Sequence, residues 1–224
     1  MAGKLTAALA AAVVASMTFQ LGRSEQGRPI IGVRVGNAHG TPVLVVGCIH
    51  GDECTGIAIV KALEHAQTNA DLWLIPDLNP DGFAHHTRQN SDGVDLNANW
   101  SSGWQGGGKP WDFYYGGPRP FSERESRIAR NLIERIHPRV TIWYHQHMDV
   151  VWAWGPSTAA GRLYAQMSGM PFYHHSWLAG TAANWQNHHY PDSASFTVEL
   201  PAGALTSAQV ARQERAVLTV ATRP

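Results

Sequence analysis

Three short clusters of histidine and glutamate carry the chemistry this sequence can perform. The first is Ile49-His50-Gly51-Asp52-Glu53, which falls where an apolar run gives way to a helical pattern. In open α/β sheets, that carboxyl edge of a strand is where ligands bind. Imidazole and carboxylate both ligate zinc, at about 2.0–2.2 Å. A glycine between them permits a tight turn, so a His and a Glu three apart can converge on one ion. The second cluster is Tyr144-His145-Gln146-His147. Catalytic zinc sites commonly use two His and one Glu and leave a position for water. His145 and His147 are two apart and share one side of a regular strand, so spacing leaves both as third-ligand candidates. The third is Phe196-Thr197-Val198-Glu199-Leu200-Pro201. Phe196, Val198 and Leu200 share one face and Thr197 and Glu199 the other. A carboxylate at position 199 is suited to take a proton from water activated at a metal.

The elements around these clusters predict how they are held. Phe19 to Gly36 reads as a β-hairpin about Arg-Ser-Glu-Gln-Gly-Arg-Pro. Pro42 to Ile49 is a continuous apolar run, as in a strand buried on both faces. Glu53 to Gln67 carries Ile57, Val60, Ala62 and Leu63 at helical spacing, and Asp71 to Pro76 is a second short strand. The order is strand, helix, strand, at βαβ spacing. Asn79 to Gly117, rich in Gly, Asn, Asp, Pro and Trp, predicts a long loop of functional kind. Trp100, Trp104 and Trp111 within it are expected to anchor the loop rather than to line a groove. Ser122 to His137 predicts a helix with Ser122 as cap and Glu125 closing a capping box. Val140 to Tyr144 and Val150 to Trp154 read as strand, and Ala159 to Ser168 as helix. His174 to Asp192 reads as loop, Ser195 to Leu200 as strand, and Thr206 to Ala221 as a closing helix. The fold class expected is a single α/β domain with a mainly parallel mixed sheet flanked by helices.

Composition narrows the partners. The 224 residues hold 17 Lys+Arg against 17 Asp+Glu, so no basic footprint for nucleic acid is present. With 44% hydrophobic and 15% charged residues the chain has the composition of a folded domain rather than a disordered one. Cys48 and Cys54 supply no disulfide framework and read as separate small buried residues. Lys4 followed by the Ala, Val and Leu run from Leu5 to Val14 resembles an export signal, too short to span a bilayer. Residues 1–16 are therefore expected to be a signal peptide. The mature chain, 17–224, is then a secreted catalytic domain with no stable membrane insertion.

Several motifs occur together in a telling order. They are His50-Gly51-Asp52-Glu53, Asn79-Pro80-Asp81-Gly82, Arg88-Gln89-Asn90, Gly93-Val94-Asp95-Leu96-Asn97, Tyr115-Gly116-Gly117-Pro118 and Phe196-Thr197-Val198-Glu199-Leu200. In that order they resemble the zinc carboxypeptidases of the funnelin type, and among them the short bacterial murein-peptide amidases and D,L-carboxypeptidases. The resemblance implies one Zn2+ per chain on His50, Glu53 and His145, with His147 a pocket residue. It implies Glu199 as general base and Arg88 as the cation that stabilises the oxyanion. Asn97 would hold substrate, and Tyr190 is the nearest loop tyrosine for a similar role. Asn79-Pro80-Asp81-Gly82 is a turn by its own chemistry and is read as scaffold. The function implied is zinc-dependent hydrolysis of peptide or amide bonds, cell-wall peptides included. An N-acyl amino acid deacylase and a non-catalytic zinc-containing peptide-binding module are the alternatives. One departure stands out: where the family motif continues with Arg, this chain has Ala98. A guanidinium there would clamp a terminal carboxylate through two parallel hydrogen bonds. Its loss points either to a substitute such as Arg119 or to relaxed demand for a free carboxylate, and the second is favoured.

Overall fold

Residues 16–223 are described in the computed structural model of the chain. The expected signal segment, residues 1–16, lies outside the described residues except for Ser16. Strands β1 (Met17–Arg23) and β2 (Pro29–Gly36) form the antiparallel hairpin that the sequence predicts. Its turn uses Gly27 at φ 82°, a backbone that only glycine adopts without strain. Then come β3 (Pro42–Val46), α1 (Gly56–Leu63) and β4 (Asp71–Ile75). β3 and β4 pair in parallel, completing the βαβ unit. Both β3 and α1 are shorter than their apolar patterns suggest, because the chain between them bends around His50 and Glu53.

The segment read as one long loop holds a short helix, α2 (Pro80–His85), and a single 3₁₀ turn at Leu96–Ala98. Asn79 caps α2 by accepting from the Gly82 amide. Next are α3 (Arg124–Ile136), β5 (Val140–Ala153), α4 (Thr158–Ser168), β6 (Phe172–His174), α5 (Ala182–His189), β7 (Ala194–Pro201) and α6 (Ser207–Thr222). Helix α5 occupies part of a segment expected to be loop. Thr181 caps it, accepting from the Asn184 amide, and Trp185 pins it into the core against Trp100, ring centroids 5.1 Å apart. Tertiary packing of one tryptophan outweighs a weakly helical local sequence. The closing helix is capped as its sequence implies, with Thr206 and Gln209 in a reciprocal box.

The sheet runs β1-β2-β4-β3-β5, with β7 beside β5. β3, β5 and β7 are parallel neighbours. β5 is long and doubles back near Met148: Tyr144 and His145 face Val198 and Glu199, and beyond the bend Val150 and Val151 face the same two residues. β7 is thus flanked on both edges by one strand. Alternate residues of β3 feed two cores, Val43 and Val45 on the side of α1, α4 and α6, Leu44 and Val46 on the side of α3 and α5. Burial on both faces accounts for the unbroken apolar run.

Two local expectations are corrected. Cys48 and Cys54 are not separate: they form a disulfide, with Cα atoms 4.6 Å apart, across the turn that carries His50 and Glu53. The turn itself folds the strand end back onto the helix start, which brings the two sulfurs together. The cap of α3 also differs. The helix starts at Arg124 with Glu123 in the capping position, and no side chain caps it. Ser122 Oγ donates to Glu123, and Glu125 turns inward instead of closing a box.

Glu125 is fully buried beside Glu123 and Glu25, accepting from the Glu25 amide and from Asn90. Burial, aided by the charge of Glu25, pushes its carboxyl up from 4.5 to about 7. The folded chain therefore holds a proton that the unfolded chain has released. Stability falls as pH rises from about 4.5 to about 7 and stays lower above. Glu125→Gln is expected to remove this component, gaining on the order of 2 kcal/mol over the parent above that window. Thermal melts of both proteins across the pH range check it. An equal pH slope in the two would refute the assignment.

Candidate metal centre and cleft

His50, Glu53, His145 and Glu199 all lie at one edge of the sheet, where β3, β5 and β7 run out together. His50 and Glu53 follow β3, His145 is in β5, and Glu199 is opposite His145 in β7. Gly51 serves a different need from the one its turn suggested: a Cβ there would overlap the Gly82 and Phe83 backbone. Asn79 ties this corner together, its Nδ2 donating to the Ile49 and Arg88 carbonyls. The scaffold reading of that residue fits its contacts.

Three donor atoms point at one spot. His50 Nδ1 is 2.9 Å from Glu53 Oε2, and His145 Nδ1 is 3.1 Å from each of them. A tetrahedral ion with bonds of about 2.0–2.1 Å needs ligand atoms roughly 3.3 Å apart, so the set fits zinc after a slight expansion. Two facing imidazole nitrogens beside a carboxylate are hard to reconcile with any centre but a cation. His50 Nε2 lies 2.9 Å from Asp95 Oδ1, and donation to that carboxylate leaves a lone pair at Nδ1 for a metal. Burial opposes charge on His50, but Asp95 and Glu53 outweigh it and raise the imidazole to about 9. Burial likewise opposes ionisation of Glu53, yet hydrogen bonds with His145 and His50 hold its carboxyl far below the usual range. The surroundings favour positive charge at this point, which a divalent ion held by His50, Glu53 and His145 would supply. Of the two histidine candidates in β5, His145 is the one brought to the centre. His147 is exposed on the wall of the adjoining cleft.

Arg88 is fixed by two carboxylates. Its Nη1 donates to Glu53 Oε1 at 2.7 Å, and Nε and Nη2 to Asp95 Oδ2 at 3.1 and 3.0 Å. Phe113 lies over the guanidinium, 4.4 Å from ring centroid to carbon. Three of five N–H groups are thus used and two remain. Asn97 lines the cleft; its Oδ1 accepts from the Ala182 amide at 3.1 Å. Glu199 also lines the cleft, half-buried, and among the described residues its carboxylate has no hydrogen bond or ion-pair partner. A free carboxylate next to a metal set, a fixed guanidinium and a cleft of about 600 Å³ are the parts needed for hydrolysis of an acyl compound.

Tyr190 corrects an expectation. It follows α5 just before β7 begins, packed on Trp185 and His137 with ring centroids 5.9 and 5.6 Å away. Glu199 lies near the other end of β7, so most of that strand separates them, and Tyr190 does not line the cleft. The aromatic groups that do line it, Phe113, Tyr114, Trp152 and Trp177, were not singled out from sequence. Nor was Asp95, although a ligand histidine is commonly oriented by a carboxylate at its other nitrogen, which is a signal to look for. Trp100 is wholly buried and Trp104 donates to the Gly116 carbonyl, in keeping with anchoring. Trp111 is exposed and lines no cleft wall.

Comparison with known proteins bears on this arrangement. Zinc carboxypeptidase of Simulium vittatum is 28% identical over 156 residues, 56% of this chain and 51% of that protein. Murein peptide amidase A of Escherichia coli (strain K12) is 30% identical over 147 residues, 60% of this chain and 61% of that protein. The chain thus spans about half to three fifths of these curated relatives. The crystal structure of murein-tripeptide amidase MpaA from Escherichia coli O157 superposes with a TM-score of 0.73 at 22% identity, covering 92% of each chain, and has the same fold. A family model described as zinc carboxypeptidase matches residues 7–199, and by that match this chain belongs to the zinc carboxypeptidase family.

Proposed function

We propose that this protein hydrolyses peptide or amide bonds, as a carboxypeptidase or a cell-wall peptide amidase, with one zinc ion per chain on His50, Glu53 and His145. One observation carries the reading: a partnerless Glu199 carboxylate opposite His145, beside three convergent ligand atoms. Relatives named as a zinc carboxypeptidase and a murein peptide amidase support peptide substrates. Held by His50, Glu53 and His145, zinc would lower the pKa of water toward about 7 and polarise the scissile carbonyl. Glu199 takes the proton of the attacking water and returns it to the leaving nitrogen. The two remaining N–H groups of Arg88 donate to the carbonyl oxygen as negative charge builds on it. Asn97, with its oxygen held by Ala182, presents its Nδ2 to the substrate backbone. His147 is a wall residue of the same cleft. Neither cysteine serves as a nucleophile, since Cys48 and Cys54 are bonded to each other.

Residues 1–16 are read as a signal that exports the chain. Among the described residues no helix is long and apolar enough to cross a membrane. Protein recovered from the medium should begin close to Met17. An intact Met1 on protein confined to the cytoplasm overturns export.

Metal analysis decides the ligand set. His145→Ala is expected to lose zinc and His147→Ala to keep it; loss in the second alone rejects the assignment. Glu199→Gln should retain zinc while kcat drops about 10²–10⁴-fold, the usual worth of a general base. Parental kcat in that variant eliminates the mechanism. A panel of peptides and N-acyl amino acids, run with and without chelator and read by mass, tests the reaction. Products from the N-acyl amino acids alone would make the protein a deacylase, and no product at all a binding module.

A further inference from the structure

The cleft beside the metal centre lacks what a substrate's terminal carboxylate needs. Among the described residues lining it, Arg88 is the only one with a guanidinium or ammonium group. Its charge is already met by Glu53 and Asp95 on one side and Phe113 on its face. Asp52, Glu53 and Glu199 place three carboxylates on the same lining. Arg119, the nearest loop candidate for a substitute clamp, is exposed, and its side chain is not part of the lining. Ala98 offers no donor, and the Ala98 carbonyl is packed against Gly116 and Gly180. What the lining does present is neutral. Asn97 has its oxygen engaged, which leaves amide hydrogens that donate to a carbonyl but bring no charge to a carboxylate. Phe113, Tyr114, Met148 and Leu178 stand exposed around the opening, between 49% and 66% accessible. Trp152 and Trp177 stack behind them, 5.6 Å between centroids. An anion brought here loses its water and meets no positive charge that Glu53 and Asp95 do not already hold, whereas an uncharged apolar group has less to lose and buries surface.

Resting on the hydrolase reading above, the geometry points to substrates whose leaving side is uncharged. These are peptide amides or internally cleaved peptides with an apolar or aromatic residue after the scissile bond, with no requirement for a free carboxylate there. The reaction is hydrolysis in either case, with water adding to the carbonyl carbon and the amine leaving with the proton.

The test uses the zinc-loaded full chain and matched peptides, each made as free acid and as carboxamide with phenylalanine on the leaving side. The kcat/KM of the carboxamide is expected to equal or exceed that of the acid, or to fall within tenfold of it. An acid preference above tenfold, about 1.36 kcal/mol, shows that a clamp exists and overturns the inference while leaving the hydrolase reading intact. Binding of two phosphinic peptides, one ending in carboxylate and one in carboxamide, gives a second readout by calorimetry that needs no turnover. If neither substrate is cleaved, the hydrolase reading fails. The preference then stands only as a binding property of the cleft if the carboxamide ligand binds within tenfold of the acid or better, and falls if the acid binds more than tenfold tighter or neither binds.

Discussion

The site depends on one electrostatic constraint: two imidazole nitrogens and a carboxylate oxygen held at 2.9–3.1 Å in a buried corner. Such groups have no reason to converge unless a cation joins them, because desolvated lone pairs facing one another repel. Most other features of the corner serve to keep this convergence in register. Asp95 fixes the ring of His50 from behind and also grips Arg88. The Gln146 amide donates to Glu53 Oε2, while the Gln146 side chain ties the Thr55 amide to the Pro201 and Gly203 carbonyls. Together the ties join the segments around residues 50–55, 88–95, 146 and 201–203, so the ligand geometry is over-determined by the fold.

The sheet explains why these segments meet. Parallel neighbours β3, β5 and β7 all end at one edge, and residues following or closing each strand project into one space. Doubling back of β5 adds a second arm on the far edge of β7, which brings Trp152 to the cleft wall alongside Glu199 and Thr197. One strand thus supplies both a metal ligand and an apolar wall, with a free carboxylate between them on β7.

How much of this was legible in the sequence follows from range. His50, Glu199 and the pair His145 and His147 could be proposed because they lie at the ends of apolar runs, and Glu53 because it follows His50 across a turn, whereas the choice of His145 over His147 came from the family resemblance. The hairpin, the βαβ unit and the closing helix were legible for the same reason. Helix α5 was not, because its sequence Ala-Ala-Asn-Trp-Gln-Asn-His-His has little local preference and is held by Trp185 against residues distant in the chain. Tyr190 is near Glu199 in sequence but not in space, because an extended strand carries its two ends apart by roughly 3.3 Å per residue. The disulfide was missed because six-residue spacing says nothing about the fold-back that joins Cys48 to Cys54. The cleft's aromatics come from Phe113, Tyr114, Trp152 and Trp177, three separate stretches of chain, and no window on the sequence contains them together.

Arg88 connects the last two levels of the structure, ligand geometry and catalysis. It touches Glu53 through the oxygen that does not face the histidines, and Asp95 through the oxygen not occupied by His50. Both carboxylates therefore use one oxygen toward the metal set and one toward the guanidinium. Placing a full positive charge there offsets the cost of burying two anions beside the centre. It also fixes the planar donor fork, so little reorganisation is required when charge develops on a substrate oxygen. A lysine would carry the same charge but no such fork, and could not span Glu53 and Asp95 while keeping two aligned donors for substrate. The sequence places this arginine seven residues before Asp95. That spacing, with the turn of Asn90 to Val94 between them, lets one short segment hold the histidine, brace its carboxylate partner and keep two guanidinium N–H groups free.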